Sequence, residues 1–282
     1  MSLPPNTCDS HCHIIGPASD FPLRGQVDPS KPSPDYPKAM LAALHAQLGI
    51  DRAVVVQSAR HGNDNAAIED AVRSSAGRWL GIAVVAPAVA DEELARLAAA
   101  GIRGVRFNFM RHIHASAPID AVIALTHRLA RHQLHLQVHF ESDLIHSLAP
   151  YLKASAVPVV IDHMGRVDAK QGPEHPNFAA LMQLLADDRF LVKVSGIDRI
   201  DADPPYSAGC ELTRRLAERY PDRCLWGSDW PHLNHTHVPD DRMLVRLIDT
   251  IAPDAGLRER LLVRNPERLY RFPPTTTHQE AR

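Results

Sequence analysis

Short, β-branched apolar runs alternate along this chain with longer stretches in which apolar residues recur every three or four positions. The runs predict strands at 7–13, 52–57, 80–86, 104–109, 134–140, 157–163, 190–196 and 224–229. The stretches between them predict helices at 36–48, 65–75, 91–99, 120–132, 144–154, 178–186 and 210–220, with a last one at 240–251. Runs such as AVVV at 53–56 and VPVVI at 157–161 are apolar throughout, as parallel strands covered on both faces require. Eight strand-helix units predict the α/β class and, within it, a (β/α)8 TIM barrel. The rival is a doubly wound open sheet, but no Gly-rich phosphate loop follows the first strand. One barrel domain is expected over 1–272, with 273–282 a frayed tail. The proline-rich segment 16–34 is expected to lie as a loop over the barrel mouth, and 231–239 reads the same way.

In such a barrel, chemistry collects where strands end and the open face begins. His11 and His13 close the first run, with side chains on one face of an extended strand. His61 follows the second, Arg106 and Asn108 end the fourth, His139 and Glu141 the fifth, and His163 and Arg166 the sixth. Ser195 and Arg199 follow the seventh, and Asp229 and His232 the eighth. Closure makes the first and last strands neighbours, so Asp229 is expected beside the HxH pair. His45, His127, His132, His135 and His175 read as surface or hydrogen-bonded structural residues.

Composition narrows the partners. The 282 residues are 45% hydrophobic and 23% charged, with a formal net charge of -2, so a global basic field for nucleic acid is absent. No apolar run approaches the roughly 20 residues that cross a bilayer. Cys8, Cys12, Cys210 and Cys224 have no CxxC spacing, and a cytoplasmic protein is expected. Only five of the 31 basic residues are lysines, and arginine is the side chain that grips a carboxylate with two parallel hydrogen bonds. GC-rich coding accounts for much of that excess, so a small-molecule partner is expected, anionic where arginines line its site.

The ordered motifs DSHCH, GVRFNF, IDHMGR, WGSDWPH and RNPERLYRF resemble the amidohydrolase superfamily, and within it the 2-pyrone-4,6-dicarboxylate lactonase-like branch. HGNDN at 61–65 is similar to that branch's HGxDN element. The resemblance implies a distorted TIM barrel that hydrolyses a cyclic ester, with His11, His13, His163 and Asp229 on catalytic positions. It also places Arg106, Arg166 and Arg199 on carboxylate-binding positions and His61 on a substrate-contacting one, and we add Asn108 and His139. Two positions depart from the branch. His139 stands where it carries a tyrosine, and His112 stands where it carries a further arginine, with Arg111 alongside.

The first departure has a chemical meaning, because mononuclear amidohydrolases resemble one another in binding metal through HxH, a strand-five histidine and the strand-eight aspartate. Here that set is His11, His13, His139 and Asp229, for one divalent ion such as Zn2+. The alternative is that His139 only donates a hydrogen bond to substrate and that imidazoles polarise the carbonyl unaided, since a pyrone releases a good enol leaving group. No lysine ends strand four or five to bridge two metals. The expected activity is that of a carboxylic ester hydrolase opening 2-pyrone-4,6-dicarboxylate or a related carboxylated lactone. A metal-dependent decarboxylase of an aromatic or muconate-type acid, and a noncatalytic anion-binding barrel, are the alternatives.

Overall fold

The computed structural model describes residues 3–25, 34–111, 117–233 and 237–273. Eight strands run in sequence order, each parallel to the next: β1 (Cys8–Cys12), β2 (Arg52–Val56), β3 (Trp79–Ala83), β4 (Ile102–Phe109), β5 (His135–Phe140), β6 (Val159–Ile161), β7 (Phe190–Lys193) and β8 (Cys224–Leu225). The last strand is shorter than its apolar run, yet the chain beyond it still bonds to β1. Ser10 N donates to Trp226 O, Asp229 N to His11 O and His13 N to Trp230 O, all at 2.7–2.8 Å, so the sheet closes as a barrel.

Helices α1 (Lys38–Leu48), α2 (Ala66–Ser74), α3 (Asp91–Ala99), α4 (Ile119–Arg131), α5 (Ile145–Leu152) and α6 (Pro176–Leu185) follow the first six strands. The short α7 (Ile197–Ile200) and long α8 (Ser207–Arg219) follow β7. The single helix expected at 240–251 is two, Asp241–Arg246 and Ile248–Ile251, and RNPERLYRF forms the helix Asn265–Tyr270. Pro37, with no N–H to give, stands at the start of α1 and trims the helix expected from residue 36.

Two apolar layers result. The larger lies between strands and helices, where α3 buries Leu94 and Leu97 and α4 buries Val122, Leu125 and Leu129 at helical spacing. The smaller fills the floor of the barrel with Cys8, Val54, Val56, Leu80, Ile82, Val160, Leu191 and Leu225, closed by Tyr270. Above that floor the interior turns polar.

β1 contains the one irregularity that positions the site. Cys8 pairs with Arg52 and Asp9 with Ala53, but Cys12 pairs with Val55, so β1 carries an extra residue there. Strict alternation from Thr7 would put Asp9 on the face of His11. The bulge instead leaves Cys8 in the floor cluster, turns Asp9 to His45 on α1, and still brings His11 and His13 inward.

Candidate active site

Asp229 Oδ1 lies at the centre of the mouth. His11 Nε2 and His13 Nε2 each approach it to 3.6 Å and His163 Nε2 to 3.8 Å, while Arg199 Nε donates to Oδ2. All four partners are buried or nearly so.

The backbone there is forced. His163, Met164, Gly165 and Arg166 take successive positive φ values of 47°, 53°, 62° and 57°, and Asp229 and His232 take 65° and 60°. Non-glycine residues in this region cost about 1–3 kcal/mol each and tend to mark functional turns. The reversal ends β6 at Ile161, short of the run expected to reach His163, and swings the His163 ring back over the barrel axis. Gly196 is required alongside, since its φ is +63° and a Cβ would sit 2.8 Å from His163 Nδ1.

Second contacts fix the rings. His13 Nδ1 is 2.8 Å from Val56 O, and a carbonyl only accepts, so Nδ1 carries a proton and Nε2 is the nitrogen turned toward Asp229. Ser195 Oγ lies 3.0 Å from His163 Nδ1. Burial pushes His11 down to about 3 and holds His163 and His139 well below the ordinary imidazole range, so these rings are neutral.

A lone pair, a carboxylate oxygen and a second imidazole facing one another repel unless a cation or a proton lies among them. The donor atoms of His11, His13 and Asp229 all lie within 4.8 Å of one another, and among the described residues the buried His11 Nε2 has no hydrogen-bond partner. Two nitrogens and one oxygen suit a divalent metal ion with an open coordination position, so these residues fit a metal. His139, the fourth expected ligand, is not brought into that group. Its ring packs edge-on to His163 at 5.2 Å, and its Nδ1 is 3.1 Å from Asn108 Oδ1.

The expected arginines divide. Arg166 is partly buried, and among the described residues no hydrogen bond or ion pair within 4 Å holds its guanidinium. Burial and the neighbouring Arg199 lower its pKa, the signature of an under-compensated cation. Arg199 is tied to Asp229 and donates to Leu233 O. Arg106 donates through Nε to Asp162 Oδ2 at 2.8 Å. Arg111 stands on the rim, 65% exposed and paired with Glu141 and Asp143, while His112 lies outside the described residues.

His61 is also engaged by protein. Its Nε2 accepts from Gly16 N at 3.2 Å and its Nδ1 is 3.3 Å from Pro22 O, so both nitrogens pin the loop that follows β1. The described part of that loop thus packs on the mouth as expected, and 26–33 lies outside the described residues.

Three buried groups escaped the sequence reading. Asp162, just after β6, gathers Arg106, Gln137 at 3.1 Å, His11 Nδ1 at 3.3 Å and Lys193 at 3.9 Å. Burial alone would raise its pKa, but Arg106, His11 and Lys193 hold it well below the carboxylate range. Burial lowers Lys193 to about 8. His135, which reads from the sequence as a surface or hydrogen-bonded structural residue, lies inside the barrel against Gly104, and among the described residues neither ring nitrogen has a hydrogen-bond partner. The signal was present: His135, Gln137 and His139 alternate on one strand face, as do Lys193 and Ser195.

The Amidohydrolase (Amidohydro_2) family model matches residues 8–272. The chain is 40% identical over 282 residues to the 2-pyrone-4,6-dicarboxylate hydrolase of Comamonas testosteroni, covering 96% of this chain and 92% of that one. It is 38% identical over 279 residues to the 4-sulfomuconolactone hydrolase of Hydrogenophaga intermedia, covering 95% and 89%. The crystal structure of a probable 2-pyrone-4,6-dicarboxylic acid hydrolase from Acinetobacter baumannii, with citric acid bound, superposes with a TM-score of 0.83 at 26% identity, covering 95% of this chain and 100% of that one. With a barrel of eight parallel strands, an HxH pair on the first and an aspartate beyond the last, the chain belongs to the amidohydrolase family.

Proposed function

We propose that the protein is a lactonase that opens a carboxylated cyclic ester by attack of an activated water on the ring carbonyl. One observation carries this reading: a buried carboxylate, Asp229, ringed by three imidazoles and set near a guanidinium, Arg166, that no described carboxylate holds. Both relatives named above open lactones that bear acid groups. The first-choice substrate is 2-pyrone-4,6-dicarboxylate.

In this reading Arg166 grips a substrate carboxylate and sets the angle of the ring carbonyl. Asp229, oriented by Arg199, takes a proton from the attacking water as the new C–O bond forms. Ser195 Oγ lies 3.0 Å from His163 Nδ1, and in this reading it donates there, which leaves His163 Nε2–H to face the developing oxyanion. The ring C–O bond then breaks, the proton held by Asp229 passes to the leaving enol oxygen, and the new acid releases its own proton to solvent. His11, His13 and Asp229 would hold the divalent ion, which when bound supplies Lewis acidity and lowers the pKa of water to about 7.

A pH-stat comparison of 2-pyrone-4,6-dicarboxylate, a sulfonated lactone and a neutral pyrone tests the reading. Acid release is expected from the anionic rings and at least ~10-fold less from the neutral one, the worth of one charge-assisted contact. No acid release from any of them, or CO2 in its place, would overturn it. Metal content measured in parallel should fall in His13→Gln and persist in His139→Gln.

A further inference from the structure

Below Asp229, three polar atoms that are fully buried and form no well-aligned hydrogen bond meet at one point: His11 Nδ1, Asp162 Oδ1 and Lys193 Nζ. Asp162 Oδ1 is 3.3 Å from the imidazole nitrogen and 3.9 Å from the ammonium. We infer that Asp162 is a positioning residue for the reaction, holding the proton of His11 on Nδ1 so that Nε2 turns a lone pair into the site, with Lys193 as the counter-charge that keeps the carboxylate there.

The other oxygen of Asp162 is already committed, because Oδ2 receives Arg106 Nε at 2.8 Å and Gln137 Nε2 at 3.1 Å. Only Oδ1 is left for His11. A carboxylate flanked by two cations accepts and does not donate, which selects the Nδ1–H tautomer. The 3.3 Å contact lies within hydrogen-bond distance but off the N–H line. Among the described residues Lys193 Nζ has no acceptor within hydrogen-bond distance, and Asp162 Oδ1 at 3.9 Å supplies the nearby carboxylate without which a buried lysine would be costly. The two histidines of the HxH pair therefore reach the same tautomer by different devices. A backbone carbonyl, Val56 O, sets His13, and a buried side chain sets His11.

Asparagine at position 162 separates this role from mere packing. Its oxygen must face the donors Arg106 and Gln137, so its NH2 faces His11 and forces the proton to Nε2. Imidazole 15N NMR of histidine-labelled protein, with His11 assigned by the signal lost in His11→Gln, should find Nδ1–H in the wild type and Nε2–H in Asp162→Asn. On the lactonase reading, kcat should fall ~10–100-fold in Asp162→Asn with KM within ~3-fold, the usual scale for a group that orients a reactive imidazole. Lys193→Met should give a mixed tautomer population and a smaller loss in the same direction.

The spectrum requires no substrate, so it stands even if the lactonase reading fails. A wild-type His11 protonated on Nε2 would overturn the inference, whether or not Asp162→Asn folds. So would a folded Asp162→Asn that keeps Nδ1–H or full turnover.

Discussion

Two walls of one barrel do different work. β2 and β3 send Val54, Val56, Leu80 and Ile82 inward, and these pack into the floor cluster. Across the axis, β5 through β7 and the turns they lead into present His135, Gln137, His139, Asp162, His163, Lys193 and Ser195. Both walls have the same parallel pairing, so the backbone does not distinguish them. What differs is the cost of the side chains. The apolar wall gains from burial, whereas the polar wall carries a desolvation cost that neighbouring charges offset, in a chain from Lys193 through Asp162 and His11 to Asp229. Substitutions on the first wall should cost stability, those at the mouth of the second should cost chemistry, and His135, deeper on the second, should act on stability alone.

The largest effect is expected from Asp229→Asn, which keeps shape but removes the proton acceptor. Turnover should drop at least ~100-fold while circular dichroism and melting stay near wild type. Near-normal turnover in the folded variant would remove Asp229 from the mechanism.

Leu80→Ala probes the opposite wall. A buried leucine truncated in a packed floor should cost about 2–5 kcal/mol in urea unfolding, with kcat/KM nearly unchanged for the folded fraction. A large activity loss without a stability loss would erase the distinction between the walls.

Arg166→Met comes next. Loss of its fork should weaken kcat/KM for an anionic lactone by roughly 1.5–3 kcal/mol and spare a neutral one of similar size. Equal losses on both would make Arg166 structural.

The smallest effect concerns His135. Burial pushes its pKa down from the ordinary 6.5 to about 3, so it folds neutral. Between those values the unfolded chain binds the extra proton, and the stability His135 contributes is complete above about 6.5 and is lost as pH falls toward 3. His135→Leu should flatten the pH dependence of unfolding by about 1.4 kcal/mol per pH unit between pH 6 and 4. An unchanged slope would mean that the imidazole is already charged in the folded protein.

The barrel was legible in the sequence because run length and period carry strand and helix identity, and strand ends named most of the residues that the fold brings together at the candidate site. Phase was not legible. One extra residue in β1 leaves no mark on composition, yet it decides that Asp9 faces His45 while His11 faces Asp229. Asp162 was hidden beside His163 because the left-handed turn sends neighbouring residues to the same centre, which strand alternation forbids. Lys193 was hidden in an apolar run, where its charge is bearable only because Asp162 arrives from another strand. The motif marks His61 as a substrate contact, and only the fold reveals that Gly16 and Pro22 engage both its nitrogens.

The most direct measurement is turnover of 2-pyrone-4,6-dicarboxylate by the purified protein in H2 18O, with the product followed by mass spectrometry and the headspace by gas analysis. The account predicts one 18O atom in the newly formed carboxylate for each ring opened, and no CO2. Ring opening without label in that carboxylate, or release of CO2, would contradict attack of water on the lactone carbonyl.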